Sequence, residues 1–330
     1  MNRSLMAILA ALIIVTAFSG NALAVSQAGA ISLTFPIGAR YNALGEAGTA
    51  LSTDIAAMWW NVGGFAFAAD GGKRRGFEFM DTKLVPDLAN DVRLDFLGYG
   101  QYVEGWGMMG IYLDYLNNGQ QTSTDEGGQL KGTFGSYEFS VGFAYGVKIT
   151  PRMGVGVGVK YFRNELAPDQ FTQDRGSGSG STWAIDTGLH YRVNDRLQLG
   201  AALTNMGPDI TFIDADQSDP MPLTLRTGFA MTAYQSEYMG FLVVGDYLKS
   251  LVSQDDTQIF GGGVEWNYVE SLYIRLGYKN DNEGEIKDYT WGLGVDLSRW
   301  TGQSVSVDYA SVPQAKDLAR VNRISLSFLF

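Results

Sequence analysis

Along Tyr137–Phe162, apolar and polar positions alternate with a period of two residues. Tyr137, Phe139, Val141, Phe143, Tyr145 and Val147 share one face, and Glu138, Ser140, Gly142, Ala144, Gly146 and Lys148 share the other. After Ile149–Arg152 the alternation resumes, with Met153, Val155, Val157, Val159 and Tyr161 opposite Gly154, Gly156, Gly158 and Lys160. Successive side chains of a strand point to opposite faces, so the pattern predicts a hairpin with one apolar face and one polar, glycine-studded face. Soluble sheets alternate too, but they rarely turn this much aromatic surface one way while glycines and charges take the would-be core face. Apolar outside and polar inside is the arrangement of a barrel in lipid.

About fourteen such segments follow Lys73, counted by the rule that barrel strands run roughly ten residues between turn signals. They lie near 74–84, 91–103, 105–116, 134–148, 152–165, 181–192, 195–205, 222–234, 237–250, 257–267, 270–280, 287–298, 303–311 and 322–330. Connections alternate in length. Short turns are expected at Glu104-Gly105, Ile149–Pro151, Val193-Asn194, Gln235-Ser236, Tyr268-Val269 and Arg299–Gly302. Long polar loops are expected at Asn117–Thr133, Glu165–Gly180, Met206–Met221 and Val312–Val321. Short periplasmic turns, long outer loops and an even strand number form a consistent set for a bacterial outer-membrane protein. Aromatic residues gather at both ends of the segments, with Trp106, Tyr234, Tyr238 and Trp300 near short turns and Tyr115, Tyr161, Trp183 and Trp291 near long loops. Such rings favour the headgroup zone. The expected fold class is therefore all-β, a transmembrane antiparallel β-barrel of about fourteen strands with an N-terminal plug segment.

Three regions are expected. Residues 1–24 read as a signal peptide, with Arg3 before the apolar run Leu5–Phe18 and a small-x-small site at Ala22–Ala24. Residues 25–72 are rich in Gly and Ala, lack the two-residue period, and read as a plug or hatch with one short helix. Ser52–Asp54 marks that helix's start before Ile55–Trp60, and Gly63-Gly64 its stop. Residues 73–330 form the outer-membrane barrel. The chain ends in Asn322–Phe330, where Phe328 and the terminal Phe330 match the assembly signal of outer-membrane barrels, with Ser325 at a position usually held by glycine.

Composition narrows the function classes. The 330 residues include 42 glycines and no cysteine, with a formal net charge of −11. Disulfides, thiolate metal sites and a lipidated cysteine are excluded. An acidic chain does not suit nucleic acid. Mean hydropathy of −0.04 fits strands with one wet face. His190 is the sole histidine, and no nucleophile elbow, phosphate loop or zinc motif is present, so neither an enzyme nor a cofactor is expected. Asp209, Asp214, Asp216 and Asp219 share one loop but lack the spacing of a calcium loop and read as a solvated acidic stretch. Charges of both signs are expected inside the barrel, chief among them Asp186, Arg226, Asp246, Arg275, Asp296 and Asp308. Mixed signs point to pairing across a lumen or onto a plug rather than to an ion-selective ring. Arg40 would need a carboxylate there, with Asp186, Asp246, Asp296 and Asp308 as candidates. Gly45 and Gly48 are expected to approach strand glycines such as Gly156 and Gly292.

The N-terminal stretch resembles the PorV/PorQ family, within the wider FadL-like group of long-chain fatty-acid transporters. The resemblance rests on Gly38-Ala39-Arg40, on Gly45 and Gly48, on Asp54 with Ala56-Ala57, and on Trp59-Trp60-Asn61-Val62-Gly63-Gly64-Phe65. Val62-Gly63 replaces a Pro-Ala pair of the family pattern, so a proline-rigid turn is lost. The resemblance implies a fourteen-strand barrel with the N-terminal segment folded into it. For function it implies a subunit of type IX secretion and cell-surface attachment that binds secreted cargo proteins. The alternative is a FadL-like transporter of a hydrophobic ligand. Outer-membrane lipid and the barrel-assembly machinery are the remaining expected partners.

Overall fold

The computed structural model describes residues 29–125, 127–168, 178–212, 218–253, 255–301, 303–315 and 318–330. The expected signal peptide, and Asp214 and Asp216 of the acidic loop, lie outside the described residues. Fourteen antiparallel strands close into one barrel. The first seven are β1 (Arg75–Lys83), β2 (Val92–Val103), β3 (Gly107–Thr124), β4 (Leu130–Thr150), β5 (Met153–Ala167), β6 (Gly178–Arg192) and β7 (Leu197–Met206). A two-residue ladder of β8 (Ile210–Thr211) and β9 (Ser218–Asp219) interrupts the series. The wall continues with β10 (Thr224–Gln235), β11 (Met239–Ser250), β12 (Gln258–Tyr268), β13 (Leu272–Asp281), β14 (Ile286–Asp296), β15 (Ser304–Val312) and β16 (Val321–Leu329).

The two-residue period sets the wall. Phe77, Phe79, Ile111, Leu113, Phe143, Val157, Ile274 and Leu276 are exposed on the outer face, where lipid takes the place of a core. Their neighbours Glu78, Asp114, Ser140, Lys160 and Arg275 are buried on the inner face. β1 and β16 close the barrel with Phe77 opposite Phe328 and Met80 opposite Ser325. Closure leaves no unpaired edge, so lipid meets no open backbone groups. The terminal residue takes part: the Phe330 carbonyl accepts from the Arg74 and Arg75 amides at 3.1 and 2.9 Å, and its ring stacks with Phe77.

Three local expectations are corrected. The Asn117–Thr133 loop is mostly strand, since β3 and β4 stay paired out to Thr124 and Leu130. Beyond the membrane a ladder needs no apolar face, so loss of hydrophobic alternation ended the expected strands too early. The short helix is Ala57–Trp60, begun without a side-chain cap, and Asp54 instead accepts the Tyr41 hydroxyl. Gly63-Gly64 stops nothing: it lies within a second short helix, Val62–Phe65, begun by Asn61, whose side chain accepts from the Gly63 amide. The short turn expected around Arg299 does join β14 to β15, and it includes a helical turn, Ser298–Thr301.

Residues 30–68, most of them buried, pack against the inner face of the wall. The helix Ala39–Asn42 lies on β14–β16, Val62–Phe65 on β4–β7, and the 3-10 turn Ile31–Thr34 on β3 and β4. Ile37, Tyr41, Leu44, Ile55, Met58, Trp60 and Phe65 are fully buried there, together with Met80, Leu94 and Phe96 from the wall. Each large apolar side chain buried this way contributes roughly 1.5–3 kcal/mol, so the segment has a core of its own inside a polar lumen.

Candidate functional site

The site is the lumen, where the N-terminal segment meets the inward strand faces. Small residues let the two backbones approach. Gly45 has φ 76°, and a β-carbon there would lie 2.6 Å from the Gly262 carbonyl oxygen and 2.4 Å from that of Tyr278. A side chain is excluded both by the left-handed backbone and by the wall. Thr290 clasps the same turn: its hydroxyl accepts from the Gly45 amide at 2.9 Å and donates to the Ala43 carbonyl at 2.8 Å. Gly48 packs against the Trp60 ring, not against a strand, and Gly64 lies against the Ser52 carbonyl. Gly156 and Gly292, expected opposite Gly45 and Gly48, face Val62 and Ala43. Trp60 is fully buried and its indole donates to the Ile37 carbonyl at 3.0 Å. The Asn61 amide donates to the carbonyls of Thr49 and Leu189, at 2.8 and 3.0 Å, tying the segment to itself and to β6.

The charges form ordered pairs. Arg40 forks onto Glu265 through Nε at 3.0 Å and Nη2 at 2.8 Å. None of the four expected aspartates is its partner. Glu265 also accepts from Arg275 Nε at 2.6 Å, and Arg275 reaches on to Asp308. Asp186 pairs with Lys160 at 2.8 Å and accepts the Asn205 amide at 2.7 Å. Asp246 accepts the Thr49 amide of the segment at 2.7 Å. Asp296 caps the turn after its own strand by accepting the Ser298 amide at 2.7 Å, a local role that does not reach the segment. On the segment itself, burial pushes the Asp54 carboxyl above its ordinary range, with Tyr41 and Arg40 opposing the shift. Burial acts on Glu46 in the same direction, but Lys279, 2.9 Å away, and Arg323 outweigh it and leave that carboxyl below its ordinary range.

His190 is buried, with Nε2 3.0 Å from Gln198 Oε1 and its ring against Phe67. It has the hydrogen-bonding role expected of a lone lumenal histidine. No group of three His, Cys, Asp or Glu side chains able to hold a metal occurs among the described residues. Sequence reasoning missed Glu46 and Trp59 as lumen-lining groups and Glu265 as the Arg40 partner. Glu265 was visible as an inward position of β12, but restricting the partner to aspartates hid it.

Above the segment, on the side of the long loops, lies a cavity of about 620 Å³. Glu46, Trp59, Arg226, Asp246 and Lys279 line its inner part, and Leu84, Pro222, Val312 and Leu318 belong to its outer rim.

Residues 23–255 match the family described as type IX secretion system protein PorV. The chain belongs to the PorV family. PorV membership, together with the closed lipid-facing barrel, makes this an outer-membrane β-barrel of the type IX secretion apparatus. Among curated proteins the sequence has no match. Solved structures share the PorV-family barrel's fold at low identity. The Ralstonia pickettii toluene transporter TbuX has a TM-score of 0.58 at 14% identity, over 89% of this chain and 97% of that one. The Pseudomonas putida toluene transporter TodX has a TM-score of 0.55 at 15% identity, over 89% and 96%. A Pseudomonas aeruginosa FadL homologue has a TM-score of 0.52 at 10% identity, over 94% and 99%. PorV and the FadL-like barrels are not enzyme families.

Proposed function

We propose that this PorV-family barrel holds secreted cargo at the cell surface, receiving it from the side of the long loops. In this reading residues 25–72 are a plug that seals the lumen beneath the cavity. The motif residues Gly38, Ala39, Arg40, Gly45, Gly48, Asp54, Trp60, Asn61 and Gly64 lock that plug in place. The observation that carries the reading is the packing of the segment against strands on opposite sides of the wall, with the cavity lined by loop-side residues above it. A transporter needs a path through; a holder needs a closed floor and an accessible outer face. Three inward groups of the wall, Glu265, Lys279 and Asp246, support the same reading, because each is bonded to the segment.

The test is affinity purification of the tagged barrel from native outer membrane in mild detergent, followed by mass spectrometry of bound proteins and lipids. Secreted polypeptides that share a C-terminal signal domain are expected in stoichiometric amounts. Recovery of a bound hydrocarbon or lipid with no secreted polypeptide would assign the barrel to hydrophobic transport instead.

A further inference from the structure

Among the described residues, the cations of the loop-side cavity are not equally satisfied. Lys279 is taken by Glu46 at 2.9 Å and Asp281 at 3.6 Å, and Lys160 by Asp186. Arg323 donates to the Pro36 carbonyl through one nitrogen, while its buried Nε has no partner. Arg226 on β10 is different. It is 6% exposed and lines the cavity, with its guanidinium carbon 4.9 Å from the Trp59 ring and 5.1 Å from the Trp60 ring. Among the described residues its N–H groups have no hydrogen-bond or ion-pair partner. The nearby carboxylates are engaged elsewhere, Asp246 with the Thr49 amide and Glu46 with Lys279.

A guanidinium presents five donors around a planar edge. The two neighbouring indoles attract the cation and orient it, but leave that edge unmet. A buried cation with an unmet edge is costly unless a ligand supplies the acceptor. A carboxylate does so with matched geometry, accepting two parallel N–H bonds. We infer that Arg226, held by Trp59 and Trp60, is the anchor of a subsite that takes the carboxylate of an extended apolar peptide. The inference rests on the cargo-holding reading and names the chemistry by which the cavity would grip its cargo.

The cavity wall favours a peptide over an acyl chain. Phe35, Leu248 and Val312 line it together with Asn205, Thr257 and Gln314. A lipid tail wants an unbroken apolar wall, whereas a peptide brings amides that need polar partners. At about 620 Å³ the space is of small-ligand size and admits a chain end or a short extended stretch, not a folded domain.

The test is titration calorimetry of the full-length barrel in nonionic detergent with an N-acetylated apolar tetrapeptide. The peptide is supplied once with a free C-terminal carboxylate and once as its amide, and decanoate is titrated in parallel. The acid is expected to bind about tenfold or more tightly than the amide, the range for a charge-assisted hydrogen-bonded pair. Arg226→Gln should abolish that preference, Arg226→Lys should restore part of it, and the exposed Lys83→Gln should leave it intact. Unchanged heat-dependent gel migration shows that a variant has folded; should Arg226→Gln not fold, the acid–amide comparison on the unaltered protein decides alone. Equal binding of acid and amide, no peptide binding, or a preference that survives Arg226→Gln each overturn the subsite. Decanoate binding without peptide binding overturns the peptide assignment. Cargo co-purification reads the underlying function separately, so recovered cargo with no acid preference refutes only the subsite.

Discussion

Arg40 shows what an inward charge does in this lumen. Its side chain keeps about a third of its exposure, while Glu265 is almost fully buried and shared with Arg275. Replacing Arg40 with alanine removes two charge-assisted bonds but leaves Glu265 one partner, so the loss should be about 1–3 kcal/mol rather than the full cost of a stranded charge. Arg40→Lys keeps the charge without the fork and should lose less. Both effects are measured as lowered temperature for conversion of the folded to the unfolded gel form; unchanged conversion in Arg40→Ala would mean that the pair does not anchor the segment. Gly45 carries a steric argument. Gly45→Ala forces a β-carbon onto the backbone of β12 and β13 at a positive φ, a strain of roughly 1–3 kcal/mol before any clash is relieved. The segment should be displaced, and limited proteolysis should then cut within 38–65 faster than in the unaltered protein. Equal cutting rates would contradict the close approach.

At the scale of elements, the wall was legible because lipid outside and water or polar groups inside impose a strict two-residue period on every spanning strand. Strand positions, the short turns and the loop-side asymmetry follow from it. That signal ends at the membrane surface, which is why the outward extension of β3 and β4 was read as loop. The interior segment has no period to read. Its three four-residue helices are packed against strands far away in sequence, so Ser52–Asp54 gave a false cap and Asn61 the real one, for Val62–Phe65. The burial of Trp60 was foreseeable from composition, but pairings such as Arg40 with Glu265 span 225 positions and depend on barrel register. The last strand carries its own prediction. Phe330 pairs with the start of β1 through three backbone bonds and stacks on Phe77. Deleting it should lower the amount of protein inserted in the outer membrane more than deleting Asp87, in the exposed turn between β1 and β2, does. Equal insertion of the two variants would count against a terminal assembly signal.

At the scale of the whole molecule, the barrel joins two faces with different tasks. The outer wall presents apolar and aromatic side chains to lipid, and the lumen uses part of its charge, at Glu265, Lys279 and Asp246, to hold the chain's own N-terminal segment. What remains open is the cavity on the loop side. The toluene transporters share this fold at 14–15% identity, and fold likeness at that level does not transfer a ligand. The claim tested most directly is the seal. Single-channel conductance in planar bilayers, measured for the intact chain and for a form lacking Gly38–Phe65, should be near zero for the first and clearly raised for the second. A folded, inserted deletion form that conducts no better than the intact barrel would contradict it.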